Sequence, residues 1–327
     1  MLDEAAHLDY TLQEDAIAEA VALYLSRPDR AEFSDAELAR ELQDLMERAG
    51  LWGTPPGMSM IGVETVSQVY VVGFGHIYFR IEIYWGPPGQ PLEHATIAEG
   101  NWVEEVRWVG EELGVISSSV GASGYTPDFS LLRYEGGEWR RVWPAAPEDS
   151  TPWRDFWITA DGEASFAAED LSLVRTRGSF WGEPAEMAFF ECGACPHRFV
   201  EIIWERQGDL YVPQVTLPES APFYDRLWEV ALPSPYATLT EFLRRLRKGD
   251  EAGALQLAAN ATVIDQARAL SLDHPASAFI AHTPSESNPL LFSDYESTDF
   301  SPQYEAHFQA PAGSGGHWLL IEIRKVV

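Results

Sequence analysis

The sequence predicts an α+β protein in which an N-terminal helical cap sits on an antiparallel β body and a smaller α+β unit follows. Three observations predict it. Apolar residues recur at the helical period over residues 11–49, the period shortens to two from about residue 60, and after a proline-crowded stretch helices return, followed by strands. With 327 residues, 46% of them hydrophobic, the chain is long enough for more than one core. The expected divisions are a helical cap at 1–55, an antiparallel β domain at 56–217 and an α+β domain at 218–327.

Each element has a local reason. Thr11-Leu12-Gln13-Glu14 reads as a capping box, with Ile17, Ala20, Val21 and Tyr24 on one face, and Pro28 ends that helix. Ser34-Asp35-Ala36-Glu37 is a second box. Its helix carries Leu38, Leu42, Leu45 and Ala49, and Gly50 is the stop. Residues 63–72 are rich in β-branched side chains and Gly73-Phe74-Gly75 reads as a turn. Residues 76–85 then alternate, Ile77, Phe79, Ile81, Ile83 and Trp85 against polar neighbours, as a strand with one buried face would. Gly86-Pro87-Pro88-Gly89 breaks it.

Short strands are expected at 102–109, 114–120, 129–134 and 138–143, the last two joined through Glu135-Gly136-Gly137. Residues 156–159 lead through an Asp161-Gly162 hairpin turn into 163–168, and 171–176 adds another strand. Such spacing predicts a sandwich, a barrel or a partial propeller. The hairpins 132–139 and 203–211 share one plan: a strand, a glycine turn and a returning aromatic. They resemble the blade hairpins of exported bacterial proteins with partial propeller repeats.

Charge excludes some partners. Against 51 acidic residues stand 22 basic ones, a net charge of −29, which repels phosphate backbones and anionic lipid heads. The basic run Arg244-Arg245-Leu246-Arg247-Lys248 falls at an expected helix C-terminus, where cations complement the helix dipole. No apolar run reaches the roughly 20 residues of a spanning helix, so neither nucleic acid nor a membrane span is expected.

Both cysteines lie in Glu191-Cys192-Gly193-Ala194-Cys195-Pro196-His197-Arg198, flanked by two strand-like runs and therefore expected at a hairpin tip. The favoured reading is a Cys192–Cys195 disulfide. It implies an oxidising compartment, hence an extracellular or cell-envelope location with a signal removed; the alternative is the cytoplasm. A zinc site built on Cys192, Cys195 and His197 would lack a local fourth ligand. A redox dithiol would lack the helix that lowers the thiol pKa.

From residue 213 the prolines crowd. Thr238-Leu239-Thr240-Glu241 reads as a third capping box, followed by Phe242, Leu243 and Leu246 and by a stop at Gly249. Shorter helices open at Asp250 and Thr262, and strands follow at 278–282, 290–296, 303–310 and 318–326. The run Phe242 to Asp250, the second short helix and the final strand Trp318-Leu319-Leu320-Ile321-Glu322-Ile323 resemble the NTF2-like (SnoaL or cystatin-like) superfamily. That resemblance implies a curved sheet around a helix enclosing a conical pocket, used by enzymes and ligand binders alike. It nominates His282, Asp294, Tyr295 and His307 as catalytic candidates.

No phosphate-binding loop, dinucleotide fingerprint, nucleophile elbow or His-Glu-x-x-His motif is present in the sequence. Trp102, Trp108, Trp139, Trp143, Trp153 and Trp181 are candidates for stacking on a sugar or a protein partner, with core packing as the alternative. The expected function is non-catalytic: an exported or surface-associated binding protein for a protein, carbohydrate or small-molecule ligand, without a cofactor. The alternatives are an enzyme or small-ligand binder using the C-terminal pocket and, more weakly, a zinc-binding or redox protein.

Overall fold

A computed structural model describes residues 10–49, 61–66, 69–74, 80–87, 89–99, 102–121, 124–143, 160–180, 188–191, 195–214, 231–297, 301–310 and 318–326. Its strands form antiparallel sheets, each a four-stranded meander whose spatial order follows the chain. The first holds β1 (Ile61–Val66), β2 (Val69–Phe74), β3 (Arg80–Trp85) and β4 (Glu93–Glu99). The second holds β5 (Trp102–Val109), β6 (Glu112–Gly121), β7 (Gly124–Glu135) and β8 (Glu138–Trp143). The third holds β9 (Ala160–Phe166), β10 (Leu173–Phe180), β11 (Arg198–Gln207) and β12 (Leu210–Pro213). The fourth holds β13 (Phe279–Ala281), β14 (Leu290–Asp294), β15 (Tyr304–Gln309) and β16 (Leu319–Lys325).

Two helices precede the first sheet, α1 (Tyr10–Leu25) and α2 (Asp35–Arg48). Ser34 caps α2 in the expected reciprocal box, its Oγ accepting from the Glu37 N–H while the Glu37 carboxylate accepts from the Ser34 N–H. Thr11 is no cap, because it lies inside α1. Ile17, Val21, Leu38 and Leu42 share one core with Val63, Val72, Phe74 and Tyr84 of the first sheet.

The first sheet's other face is also buried. Val69, Val71, Ile81, Ile83 and Trp85 pack on Leu113, Val115, Leu132 and Trp139 of the second sheet. The expected single buried face of β3 is thus corrected: Ile81 to Trp85 are all buried, because helices cover one side and a sheet the other. Two further corrections concern this sheet. Residues 63–66 and 69–72 belong to two strands paired antiparallel, with Val66 opposite Val69, and Gly73-Phe74 lies within β2.

The second sheet is likewise sandwiched. Ile116, Phe129, Leu131 and Trp143 meet Val174, Val200, Ile202, Trp204 and Tyr211 of the third. Among the described residues the first three sheets pack face to face in chain order, an arrangement of more than two sheets that differs from a closed barrel and from a two-sheet sandwich. Close approach explains two glycines. A Cβ on Gly114 would fall 2.7 Å from Leu171 and Phe166, and one on Gly162 would fall 2.8 Å from Pro127. Asp161-Gly162 is therefore not the expected hairpin turn; it lies inside β9, where a side chain would collide with β7.

The two hairpins with a shared plan are both present. Glu135 pairs with Glu138 across Gly136-Gly137, and Gln207 pairs with Leu210 across Gly208-Asp209. Positive φ at Gly136 (65°), Gly137 (96°) and Gly208 (66°) is the left-handed geometry that glycine adopts without a steric penalty.

An ionic tie joins these hairpins. The Glu112 carboxylate on β6 accepts from Arg133 at 2.7 Å and from Arg206 at 2.8 Å, and Arg133 also donates to Asp209 at 2.6 Å. The Arg206 hydrogen bond, with that of Arg133, holds the Glu112 pKa down at about 2 against an ordinary 4.5. A depressed carboxylate stabilises the fold above its unfolded pKa and loses that contribution as pH falls through its folded one. The tie is therefore expected to act fully above about pH 4.5 and to vanish towards pH 2. Discounted for partial exposure, it is worth about 1–2 kcal/mol. Urea midpoints of the wild type and Glu112→Gln should differ at neutral pH and converge across that window.

The last unit places α3 (Pro235–Arg247), α4 (Glu251–Leu255) and α5 (Ala261–Ala269) against the fourth sheet. Ser234, not Thr238, caps α3, with Pro235 at its first turn, where a missing N–H costs nothing. The terminal arginines are engaged locally. Arg244 and Arg245 pair with Glu241, and Arg247 donates to the Leu272 and Ser277 carbonyls.

Candidate functional site

At one end of the first two sheets, where β3 leaves the stack and the β7–β8 hairpin turns, lies a groove of about 480 Å3. Its walls are Val69, Trp85, Pro87, Trp108, Tyr134 and Trp139. Strand register explains the gathering. Tyr134 and Trp139 are direct cross-strand partners, Trp108 pairs with Leu113 on the same face, and that face meets Trp85 of β3.

The rings are fixed by one another. Trp108 meets Trp139 edge to face with centroids 5.2 Å apart, and Tyr134 leans on Trp139 at 5.3 Å. The Trp85 indole N–H donates to the Gly137 carbonyl at 3.3 Å and that of Trp108 to the Gly110 carbonyl at 2.5 Å. The Trp139 N–H is buried and has no acceptor among the described residues. Trp139 is 7% exposed, whereas Tyr134, at 39%, presents its ring to solvent. The accessible ring surface of Trp108 and Tyr134 fits a ligand with apolar or planar groups.

A second cavity, about 430 Å3, lies between the second and third sheets, lined by Glu104, Ser118, Pro127, Glu163, Arg177 and Phe199. Its polar groups answer one another. The Ser118 hydroxyl donates to Glu104 at 2.5 Å and the Arg177 guanidinium lies over the Phe199 ring at 5.1 Å. Beneath the helices, the buried Glu82 carboxylate accepts from Arg80 and Thr96, each at 2.7 Å, and Arg80 also lies 4.0 Å from Asp15 of α1.

The structure distributes the sequence-nominated residues. Trp108 and Trp139 reach the groove, Trp143 is core, Trp102 sits half-buried on β5, and Trp153 and Trp181 lie outside the described residues. Trp85, Tyr134 and Pro87 were not nominated. The alternation of β3 and the shared hairpin plan marked Trp85 and Tyr134 as ordered strand residues, but not as neighbours.

Cys195 is disulfide-bonded, and Cys192, the chain's other cysteine, lies outside the described residues. A sulfur in a disulfide supplies no thiolate for zinc, and strand β11, not a helix, follows it. The hairpin-tip expectation is corrected. Phe189, upstream, bridges to Phe279 of the fourth sheet, while Arg198, downstream, begins β11 of the third, so the segment is a crossover between units. His197 is buried there, its backbone N–H and carbonyl both bonded to the Ser285 hydroxyl.

Each catalytic candidate has its own neighbour among the described residues. His282 Nε2 lies 2.8 Å from Ser293 Oγ, and burial lowers its pKa. Asp294 accepts from the Tyr304 hydroxyl at 3.5 Å, Tyr295 stacks at the surface on Phe190, and His307 lies 3.4 Å from Glu305. Phe189, Phe242, Phe279, Phe292, Tyr236 and Tyr304 fill the interior of this unit.

No protein-family model, curated protein or solved structure matches the chain.

Proposed function

We propose that the protein is a non-catalytic binding module whose aromatic groove receives an extended polypeptide segment. The observation that carries this reading is the groove itself, whose lining combines half-buried Trp108, solvent-facing Tyr134 and exposed Pro87 with the buried Trp85 and Trp139 rings. Extended, proline-containing segments suit such walls, because their rings lie flat on indoles and their free carbonyls accept indole N–H bonds. A carbohydrate would need several side-chain partners for its hydroxyls. The Trp85 and Trp108 N–H groups are already donated to backbone carbonyls.

The stacked meanders support a partial propeller-like body, and helices before an antiparallel meander support an NTF2-like character for the last unit. The Cys195 disulfide supports an oxidising, extracytoplasmic setting.

The test is a titration of the full chain with an uncharged alternating Pro-Gln peptide, followed by tryptophan fluorescence. A saturable change is expected, and Tyr134→Ala should weaken it about tenfold, as loss of an aromatic hot spot does. Far-ultraviolet circular dichroism should be unchanged in that variant. Binding that ignores Tyr134→Ala would place the contact elsewhere.

A further inference from the structure

We infer that the segment this groove receives is basic, an extended arm of a partner protein whose Arg or Lys side chains lie over the accessible rings of Trp108 and Tyr134. This rests on the groove reading above and adds the sign of the occupant's charge.

Three observations converge. First, the chain carries a net charge of −29, so the potential around any uncharged surface on it concentrates cations. Second, the groove walls bear no charge, while the segments that bound them carry exposed Glu93, opposite Trp85, Glu111 beside Gly110, and Glu135 and Glu138 about the Gly136-Gly137 turn. Nearby cations are Arg133, held by Glu112 and Asp209, and Arg140 and Arg141 on β8, none of which lines the groove.

Third, the fold's own arginines show which pairing its rings favour. Arg30 lies 4.3 Å over Tyr24, Arg107 4.9 Å over Phe166 and Arg247 5.6 Å over Phe279. Among the described residues no guanidinium covers Trp85, Trp108, Tyr134 or Trp139. Indole is the strongest aromatic partner for a cation, and the groove leaves that of Trp108 half-buried, beside the exposed Tyr134 ring. An arm with alternating proline and arginine would set its proline rings and guanidinium groups against Trp108 and Tyr134. An acidic arm would meet the same rings against the field.

The experiment titrates the full chain with three peptides of equal length, alternating Pro-Arg, Pro-Gln and Pro-Glu, at low and high salt, by tryptophan fluorescence and calorimetry. Pro-Arg is expected to bind about tenfold more tightly than Pro-Gln, the gap narrowing at high salt, with Pro-Glu weakest. Trp108→Leu should remove most of the Pro-Arg preference. Tyr134→Ala provides a second, solvent-facing position should Trp108→Leu disturb the fold. Equal binding of Pro-Arg and Pro-Gln would overturn the cationic occupant while leaving the groove reading in place. No binding by any peptide would overturn both. Pro-Arg binding undiminished in both variants would show attraction to the acidic surface at large and overturn the inference.

Discussion

Trp204→Ala is expected to lower the stability of the stacked-sheet body by about 4 kcal/mol, within the usual range for truncating a buried tryptophan. Trp204 is 1% exposed and lies in the core shared by the second and third sheets with Phe129, Val200, Ile202 and Tyr211. Its indole N–H donates to the Thr176 hydroxyl at 2.8 Å. Truncation therefore opens a large apolar cavity and removes a buried hydrogen bond at once. Trp204→Phe separates the two, keeping most of the volume and losing the bond, and should cost about 1–2 kcal/mol. Denaturant midpoints measure both. A loss below about 1 kcal/mol for Trp204→Ala would mean that the sheets close over the gap.

Glu191→Ala is expected to cost about 3–5 kcal/mol, because it removes the carboxylate that pairs with a buried guanidinium. The Arg198 side chain is 0% exposed and that of Glu191 4%. Two parallel hydrogen bonds join them, at 3.0 and 2.9 Å, and the Tyr236 hydroxyl donates to the same carboxylate at 3.2 Å. Burial, with the neighbouring Glu191 carboxylate, pushes the Tyr236 phenol well above its ordinary range. These residues join the crossover segment to α3 and β11, so the loss falls on the seam between the third sheet and the last unit. Replacing both charges, as in Glu191→Met with Arg198→Met, should cost less than Glu191→Ala alone, since the buried guanidinium is removed with its carboxylate. A double variant as unstable as the two single losses combined would refute a charge-burial origin.

What the sequence revealed was local. The capping box at Ser34 and Glu37, the Gly136-Gly137 hairpin and the stop at Gly249 each follow from contacts within a few residues. Failures arose where distant partners decide. Ser67-Gln68 carries no glycine, proline, asparagine or aspartate, so residues 63–72 read as one strand rather than two. Strand β4 was missed because its alternation is weak, and its register with β3 shifts between Ile81 and Glu82. Asp161-Gly162 has the composition of a turn, yet Pro127, 35 positions before Gly162 in the chain, sets what Gly162 must be.

The candidate site divides in the same way. Trp108 and Trp139 could be singled out as aromatic, and the hairpin plan paired Trp139 with a turn. Their meeting with Trp85 depends on which face of the second sheet lies on the first, and no local pattern encodes that choice. Likewise the Cys195 segment looked like a hairpin tip because both flanks are strand-like, whereas the flanks serve different sheets.

By itself the sequence determined the acidic charge, the strand and helix grammar and the turns, because these depend on composition and on backbone preferences within a few residues. Only the tertiary structure decided the order of stacking, the aromatic groove and the crossover at Cys195, because burial of two-faced sheets joins residues far apart in the chain.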